Sequence, residues 1–230
     1  MTSKALIIPA AGAGKRMERR QPKPFIKLGN KTILEHTLRR FLGITGLSQI
    51  VISTSASFIE DVEQILAQCI GGKINWQCVE GGAERQHSIH NALKVIDDVD
   101  LVLVHDAVRP FIKIPHINEC CNIAEEMGAA VIGIPVKDTI KKIDRKGFVT
   151  ATPRRKTLWQ IQTPQVFKTA LLKKAYQKAG REGFIGTDDA SLVEWLGKPV
   201  KVVKGSVNNI KITYPQDLKW AELLIENETK

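Results

Sequence analysis

A few short stretches carry residue types that could do chemistry. PAAGAGKRM (Pro9–Met17) follows the apolar run Ala5–Ile8 with two glycines and two adjacent cations. Gly12 and Gly14 tolerate positive φ and close backbone approach, so successive N–H groups can turn toward an anion. Lys15 and Arg16 add charge, and Lys23 follows between Pro22 and Pro24, which keep it out of a helix interior. The pattern is not the P-loop G-x-x-x-x-G-K-[ST], and Met17 stands where a dinucleotide fingerprint needs its third glycine. A phosphate cradle and a tight turn opening a basic, solvated helix both fit the segment.

EGGAERQHS (Glu80–Ser88) is a second glycine turn that runs into a helical pattern. Arg85 and Ser88 are three apart and share one side of the first turn. An arginine there opposes the helix dipole; an anionic ligand would account for it, and so would a surface pair with Glu84. In LVLVHDAVRPF (Leu101–Phe111) an apolar strand ends at His105-Asp106, and Arg109-Pro110 follow. An acid at a strand's carboxyl end can hold a divalent cation or order a substrate hydroxyl, and Arg109 can neutralise phosphate. The plainer alternative is an Asp106–Arg109 ion pair that closes the loop. His105 reads as structural.

TDDAS (Thr187–Ser191) reads as an N-cap threonine with acids in the first turn, in preference to a metal site. Lys211, in NNIKIT, either snorkels to solvent or points into a site, and pattern leaves both open. The sequence has no G-x-S-x-G elbow and no Cys–His constellation, and its five histidines are scattered, so no covalent nucleophile stands out. What remains is phosphate positioning by cations, glycine-turn amides and one acid. Phosphoryl and nucleotidyl transfer need little more.

The elements that must position these residues alternate along the chain. Buried strands are expected at Ala5–Pro9, Ile50–Thr54, Leu101–His105, Ala129–Pro135 and Val200–Val203. Amphipathic helices are expected at Thr32–Phe41, Ser57–Cys69, Glu84–Ile96, Pro115–Met127, Lys168–Lys178, Asp188–Trp195 and Pro215–Asn227, the last with proline in its first turn. Such alternation predicts a single α/β domain over residues 1–230 with a mostly parallel, doubly wound, Rossmann-like sheet. Ligands then sit outside the carboxyl ends of the strands, at Pro9–Arg16, Glu80–Arg85 and His105–Pro110. Residues 136–167 break the rhythm, with short alternating stretches around Arg145-Lys146-Gly147. They read as a β arm outside the main sheet, either pairing with another subunit or lying as a surface hairpin.

Lys and Arg number 34 against 24 Asp and Glu, a net charge of +10 that favours an anionic partner. The cations are spread along the chain, and aromatics at 6% are thin for a single-strand stacking platform. The charge therefore points to phosphate-bearing small ligands, with no nucleic acid expected. No apolar run approaches the ~20 residues of a membrane span, and the N-terminal run leads into Gly and Lys-Arg rather than a cleavage site. A cytoplasmic protein with no membrane partner is expected. Cys69, Cys78, Cys120 and Cys121 form no C-x-x-C pair and read as reduced, structural thiols.

Taken together, PAAGAGKRM, PKPF, TILEHT, GGAERQHS, VLVHDAVRPF, PVKDTIKK, TPQVF, TDDAS and NIKIT resemble the 2-C-methyl-D-erythritol 4-phosphate cytidylyltransferases nearly end to end. The resemblance implies a nucleotidyltransferase fold, CTP, a divalent cation (magnesium), and a homodimer with interlocking arms. It implies that Arg16 and Lys23 stabilise charge on the triphosphate and that Lys211 positions the acceptor phosphate. It assigns the cytidine portion to Gly82, Arg85 and Ser88 with main-chain groups of Ala10, Ala11 and Gly12, and Gly14 belongs to the same nucleotide-binding loop. Asp106, Arg109 and Thr163 would hold the methylerythritol phosphate, and Thr139 and Arg155 would reach the partner's site from the arm. The metal ligands stay unassigned.

Two departures stand out. Ala83 replaces an acid found in some members, so no side chain there reads base or ribose, and Pro24 replaces a common glutamine. Ribitol-5-phosphate cytidylyltransferases share something like HDAVRPF but differ in the first loop. Sugar-1-phosphate nucleotidyltransferases lack the HDAVRP and TPQ stretches. A non-catalytic nucleic-acid binder is the alternative from another class.

Overall fold

The computed structural model describes residues 1–12, 21–72 and 74–228. Gly14, Lys15, Arg16 and Met17, on which part of the first-loop reading rests, lie outside the described residues. Among the described residues, seven strands form one sheet. In chain order its members are β1 (Lys4–Pro9), β4 (Leu47–Thr54), β5 (Asn75–Glu80), β6 (Leu101–Val104), β7 (Ala129–Pro135), β10 (Trp159–Lys168) and β11 (Lys201–Lys204). Two small hairpins stand apart, β2 (Lys27–Leu28) with β3 (Lys31–Thr32) and β8 (Lys142–Ile143) with β9 (Val149–Ala151). The spatial order β11-β7-β10-β6-β1-β4-β5 is parallel except at β10, which runs antiparallel to both neighbours. The expected mostly parallel α/β sheet is therefore the observed one.

The helices are α1 (Ile33–Arg39), α2 (Ile59–Cys69), α3 (Arg85–Lys94), α4 (Ile114–Met127), α5 (Thr169–Glu182), α6 (Asp189–Trp195) and α7 (Pro215–Glu228). Successive β1 side chains point to opposite faces: Leu6 and Ile8 join one core with α1, α2 and α4, while Ala5 and Ile7 join another with α3, α5 and α6. Both faces are covered, which is why the central strands read as unbroken apolar runs. Helix starts follow side-chain chemistry. The Thr32 hydroxyl accepts the Glu35 N–H at 3.1 Å, and Glu35 Oε2 accepts the Thr32 N–H at 2.6 Å, a reciprocal cap for α1.

In-register parallel pairing brings the strand exits level. Pro9 pairs with Ser53, Thr54 with Glu80, and Ile7 with Val104. The loops after β1, β5 and β6 therefore open on the same edge, as expected for the carboxyl ends.

Two strands differ from expectation. The β5 segment NWQCVE is only half buried, at the sheet edge, and lacks the apolar run that marks a central strand. The second difference corrects the arm. Trp159–Lys168 lies inside the sheet between β6 and β7, so the excursion spans 136–158 rather than 136–167. The sequence WQIQTPQVFK looks polar because its glutamines are buried against partners distant in sequence. Gln165 donates to Asp188 Oδ2 (2.7 Å) and accepts the Ala190 N–H (3.0 Å); Gln162 donates to the Ser206 carbonyl (3.0 Å). Within the excursion the expected turn is present: Gly147 has φ 87°, and Asp144 Oδ1 accepts the Lys146 and Phe148 N–H groups.

The four cysteines are free, and burial pushes the Cys78 and Cys121 thiols up to about 11, so they stay protonated and unreactive. Among the described residues no helix is long and apolar enough to cross a membrane.

Candidate active site

The strand exits surround a cleft of about 580 Å³. Its walls come from Ala10–Gly12 after β1, Gly82–Arg85 and Ser88 at the start of α3, Asp106–Val108 after β6, and Lys211 near the C-terminus, with Lys23 and Pro24 on the remaining side. Glycine is required in the β5–α3 turn. A Cβ on Gly81 would come 2.3 Å from the Ala11 Cβ, and one on Gly82 would come 2.3 Å from the His87 Cβ. The glycine pair lets this turn pass close beneath the β1 exit and onto the first turn of α3. Ser88 pins it: its hydroxyl accepts the Gly82 N–H at 3.0 Å and donates to the Glu84 carbonyl at 3.2 Å.

Asp106 is the electrostatic centre. Its side chain is nearly buried, yet it faces three cations: Arg85 Nε at 3.3 Å, Arg109 Nε at 3.2 Å and Lys211 Nζ at 3.0 Å. Burial alone would raise its pKa, but the charges of Arg85, Lys211 and Arg109 outweigh burial and hold it well below the usual carboxylate range. The Asp106–Arg109 pair anticipated as the plain alternative is thus present, and so is the placement of Asp106 on the cleft. Lys211, ambiguous in sequence, points inward. Its segment is tied to the Asp106 loop through the Ile212 N–H, which donates to the Val108 carbonyl at 2.9 Å.

Behind Asp106 lies a hydrogen-bonded chain that fixes every donor. The Asp106 N–H donates to Thr163 Oγ1 (3.0 Å), which donates to His105 Nδ1 (3.1 Å), and His105 Nε2 donates to the Arg109 carbonyl (3.0 Å). This arrangement needs a neutral ring, and burial lowers the His105 pKa to about 4. His105 is structural, as its sequence context suggested. Thr163 differs from expectation. It lies buried with its hydroxyl used in both directions, so it holds the Asp106 turn instead of facing a substrate. Its place follows from the break in β10–β7 pairing between Ile161 and Gln165.

Arg109 is mostly enclosed too, since Nη1 donates to the Asn209 carbonyl at 2.8 Å. It braces Asp106 from behind and does not itself line the cleft. Lys23, in the short turn Lys23–Phe25, donates from Nζ to the Thr213 carbonyl at 2.6 Å, joining the first loop to the Lys211 segment. Thr139 and Arg155 sit on the exposed excursion, where Arg155 Nη1 donates to the Lys137 carbonyl at 2.9 Å; neither lines the cleft of its own chain.

Sequence reasoning missed Asp189, Asn209 and Gln162. TDDAS is a helix start as expected, but the cap is Asp188, not Thr187: Asp188 Oδ1 accepts the Ser191 N–H at 2.9 Å. Asp189 pairs with Arg85 at 2.9 Å. Asn209 Nδ2 donates to Gln162 Oε1 and to the Thr163 carbonyl, tying the β10 irregularity to Arg109. The paired acids of TDDAS and the paired asparagines of NNIKIT were the available signals, and both also read as ordinary cap and turn residues.

Among the described residues no group of three or more His, Cys, Asp or Glu side chains could hold a metal. Both Asp106 oxygens already face cations, so the described cleft does not fit a resident ion. It fits polyanions: Lys23, Arg85 and Lys211 line it, against the acids Glu84 and Asp106.

Comparison with known proteins agrees with this geometry. Residues 4–227 match the family model for 2-C-methyl-D-erythritol 4-phosphate cytidylyltransferase. A protein of that name from Bacillus velezensis is 47% identical, covering 97% of this chain and 96% of its own. One from Geobacillus thermodenitrificans is 42% identical, covering 95% of each chain. The crystal structure of 4-diphosphocytidyl-2C-methyl-D-erythritol synthase from Anaerococcus prevotii superposes with a TM-score of 0.86 at 32% identity, covering 98% of this chain and 96% of that one. The cytidylyltransferase structure from Thermus thermophilus gives 0.79 at 34% identity and 98% coverage of both chains.

Proposed function

The chain belongs to the 2-C-methyl-D-erythritol 4-phosphate cytidylyltransferase family, and from that premise we propose how its own residues carry the reaction. It is a nucleotidyltransferase of isoprenoid synthesis that converts CTP and 2-C-methyl-D-erythritol 4-phosphate to 4-diphosphocytidyl-2-C-methyl-D-erythritol and pyrophosphate. Ribitol phosphate is not favoured as the acceptor.

The reaction brings one anion onto another. An acceptor phosphate oxygen attacks the α-phosphorus of CTP, the bond to the β-phosphate breaks, and pyrophosphate leaves with the electron pair. In water the two polyanions repel. Lys23 and Arg16 offset charge on the triphosphate, and Lys211 aligns the acceptor phosphate for attack. Cations held in place beforehand need no reorganisation as charge shifts in the transition state. That is the value of three cations converging on Asp106, the observation that carries this reading. Asp106 stays ionised and accepts a polyol hydroxyl, with Arg109 beside it. Main-chain groups of Ala10, Ala11, Gly12 and Gly14 and the Gly82–Ser88 turn hold the nucleotide, with Arg85 at its edge. A divalent cation, magnesium by resemblance, would arrive with the triphosphate and offset part of its charge, since the described residues offer it no carboxylate cluster.

The assembly is a homodimer in the cytoplasm, with no nucleic-acid or membrane partner. The excursion supports the dimer, because Ile140, Ile143, Phe148 and Val149 are each exposed along it. Thr139 and Arg155 then serve the partner's cleft.

Pyrophosphate release from CTP, measured with methylerythritol phosphate and ribitol phosphate side by side, tests the reading. Release is expected with the first acceptor and to fall steeply with the second, and when ATP or GTP replaces CTP. Equal turnover of both acceptors would sink it.

A further inference from the structure

Arg85 is held from two sides by carboxylates, and one of them lies outside the strand exits. Nε faces Asp106 Oδ1 at 3.3 Å, while Nη1 faces Asp189 Oδ2 at 2.9 Å. Asp189 is 1% exposed and sits in the first turn of α6. Its charge does no capping there. The cap is complete without it, since Asp188 accepts the Ser191 N–H and the Ser191 hydroxyl returns to Asp188. The other Asp189 oxygen accepts the Tyr176 hydroxyl of α5 at 2.5 Å. Burying a carboxylate is costly unless it is paired and hydrogen-bonded, so its partners, Arg85 and Tyr176, account for its presence.

We propose that Asp189, seated by Tyr176, is a positioning residue for Arg85, holding the guanidinium across the cleft so that it meets the nucleotide and braces Asp106 at once. The proposal rests on the assignment of Arg85 to the nucleotide. The fork geometry explains the need. A guanidinium offered one carboxylate closes on it bidentately, which here would draw Arg85 onto Asp106, where Lys211 and Arg109 already bind. Asp189 pulls Nη1 the other way and leaves only Nε on Asp106. Charge follows the same geometry: burial opposes the Arg85 cation, and the Asp189 and Asp106 carboxylates outweigh burial and keep it charged. Two further bonds keep α3 and the approach to α6 in register. Gln86 Nε2 donates to the Phe184 carbonyl (2.9 Å), and Gln86 Oε1 accepts the Gly186 N–H (2.9 Å).

A double-mutant cycle on kcat/KM for CTP tests this, using the full chain with melting temperatures recorded for each variant. Asp189→Asn is expected to lower kcat/KM by about 10- to 100-fold, the scale of misplacing a positioned group, chiefly through KM. In an Arg85→Lys background, where the lysine cannot span both acids, the same change should cost less than about 3-fold. Equal losses in both backgrounds would mean that Asp189 acts on stability and not through Arg85, and would overturn the proposal. Should Asp189→Asn fail to fold, Tyr176→Phe leaves the ion pair intact and enters the same cycle, with a smaller loss that must again vanish with Arg85→Lys. An unchanged kcat/KM for CTP in Arg85→Lys alone is a different result. It removes Arg85 from the nucleotide, and the role of Asp189 falls with it.

Discussion

At the residue scale the site depends on which buried groups keep their charge and which do not. Asp106 stays ionised because Arg85, Arg109 and Lys211 face it; one residue away, His105 stays neutral because burial outweighs the Arg109 carbonyl and the Asp106 charge, which favour its cation. The histidine has a consequence for stability. Its ordinary pKa of 6.5 drops to about 4 in the folded protein, so between these values the unfolded chain binds the extra proton. Stability from the neutral ring is therefore complete above about pH 6.5 and declines as pH falls toward 4, by roughly 3 kcal/mol at the limit. Thermal unfolding between pH 7.5 and 4.5 should show this slope, and His105→Gln should lower the melting temperature at pH 7.5 but flatten the slope. An equally steep slope in the variant would assign the pH dependence to other groups.

Elements place these residues through close approach. The turn between β5 and α3 has glycine twice because side chains from two neighbouring elements leave no room for a Cβ. At Gly82 the obstruction includes the His87 backbone carbonyl carbon at 3.2 Å, which cannot rotate away. Gly82→Ala should therefore shift the first turn of α3 and displace Ser88 and Arg85 together. The expected result is a KM for CTP raised about tenfold or more, with secondary structure by circular dichroism unchanged. A wild-type KM would show that the turn does not hold the nucleotide. The β10 irregularity works similarly from the other side of Asp106. By leaving the ladder, Thr163 reaches the Asp106 N–H, and Asn209 reaches Thr163.

At the scale of the whole molecule, in-register parallel strands bring residues some two hundred positions apart in sequence into one cleft, from Ala10 to Lys211. The excursion leaves that body and carries Arg155 away from its own cleft. Phe148 is 68% exposed there, an arrangement that suits a second copy. Mixing Arg155→Ala and Lys211→Ala subunits tests this. Each homodimer should be nearly inactive, whereas the heterodimer has one site with both residues intact, so activity should return on mixing after reversible dissociation. No recovery would count against a shared site.

The sequence by itself determined the fold class, the sheet edge that carries the site, and most residues that line the cleft. These signals are local. An apolar run buried on both faces, a glycine pair before a helix, and a strand ending in His105-Asp106 can each be read within about ten residues. Only the tertiary structure decided what depends on distant partners. WQIQTPQVFK looks too polar for a central strand until Asp188, Ala190 and Ser206 arrive to satisfy its glutamines. Thr163 looks like a substrate contact until its hydroxyl is found between Asp106 and His105. Lys211 could have snorkelled, and Asp189 could have been one more acid at a helix start. Each was decided by which opposite charge the fold brought within 3 Å: Asp106 for Lys211, and Arg85 for Asp189. Local pattern says whether a side chain will be buried, but the partner that makes burial of a charge tolerable comes from elsewhere in the chain.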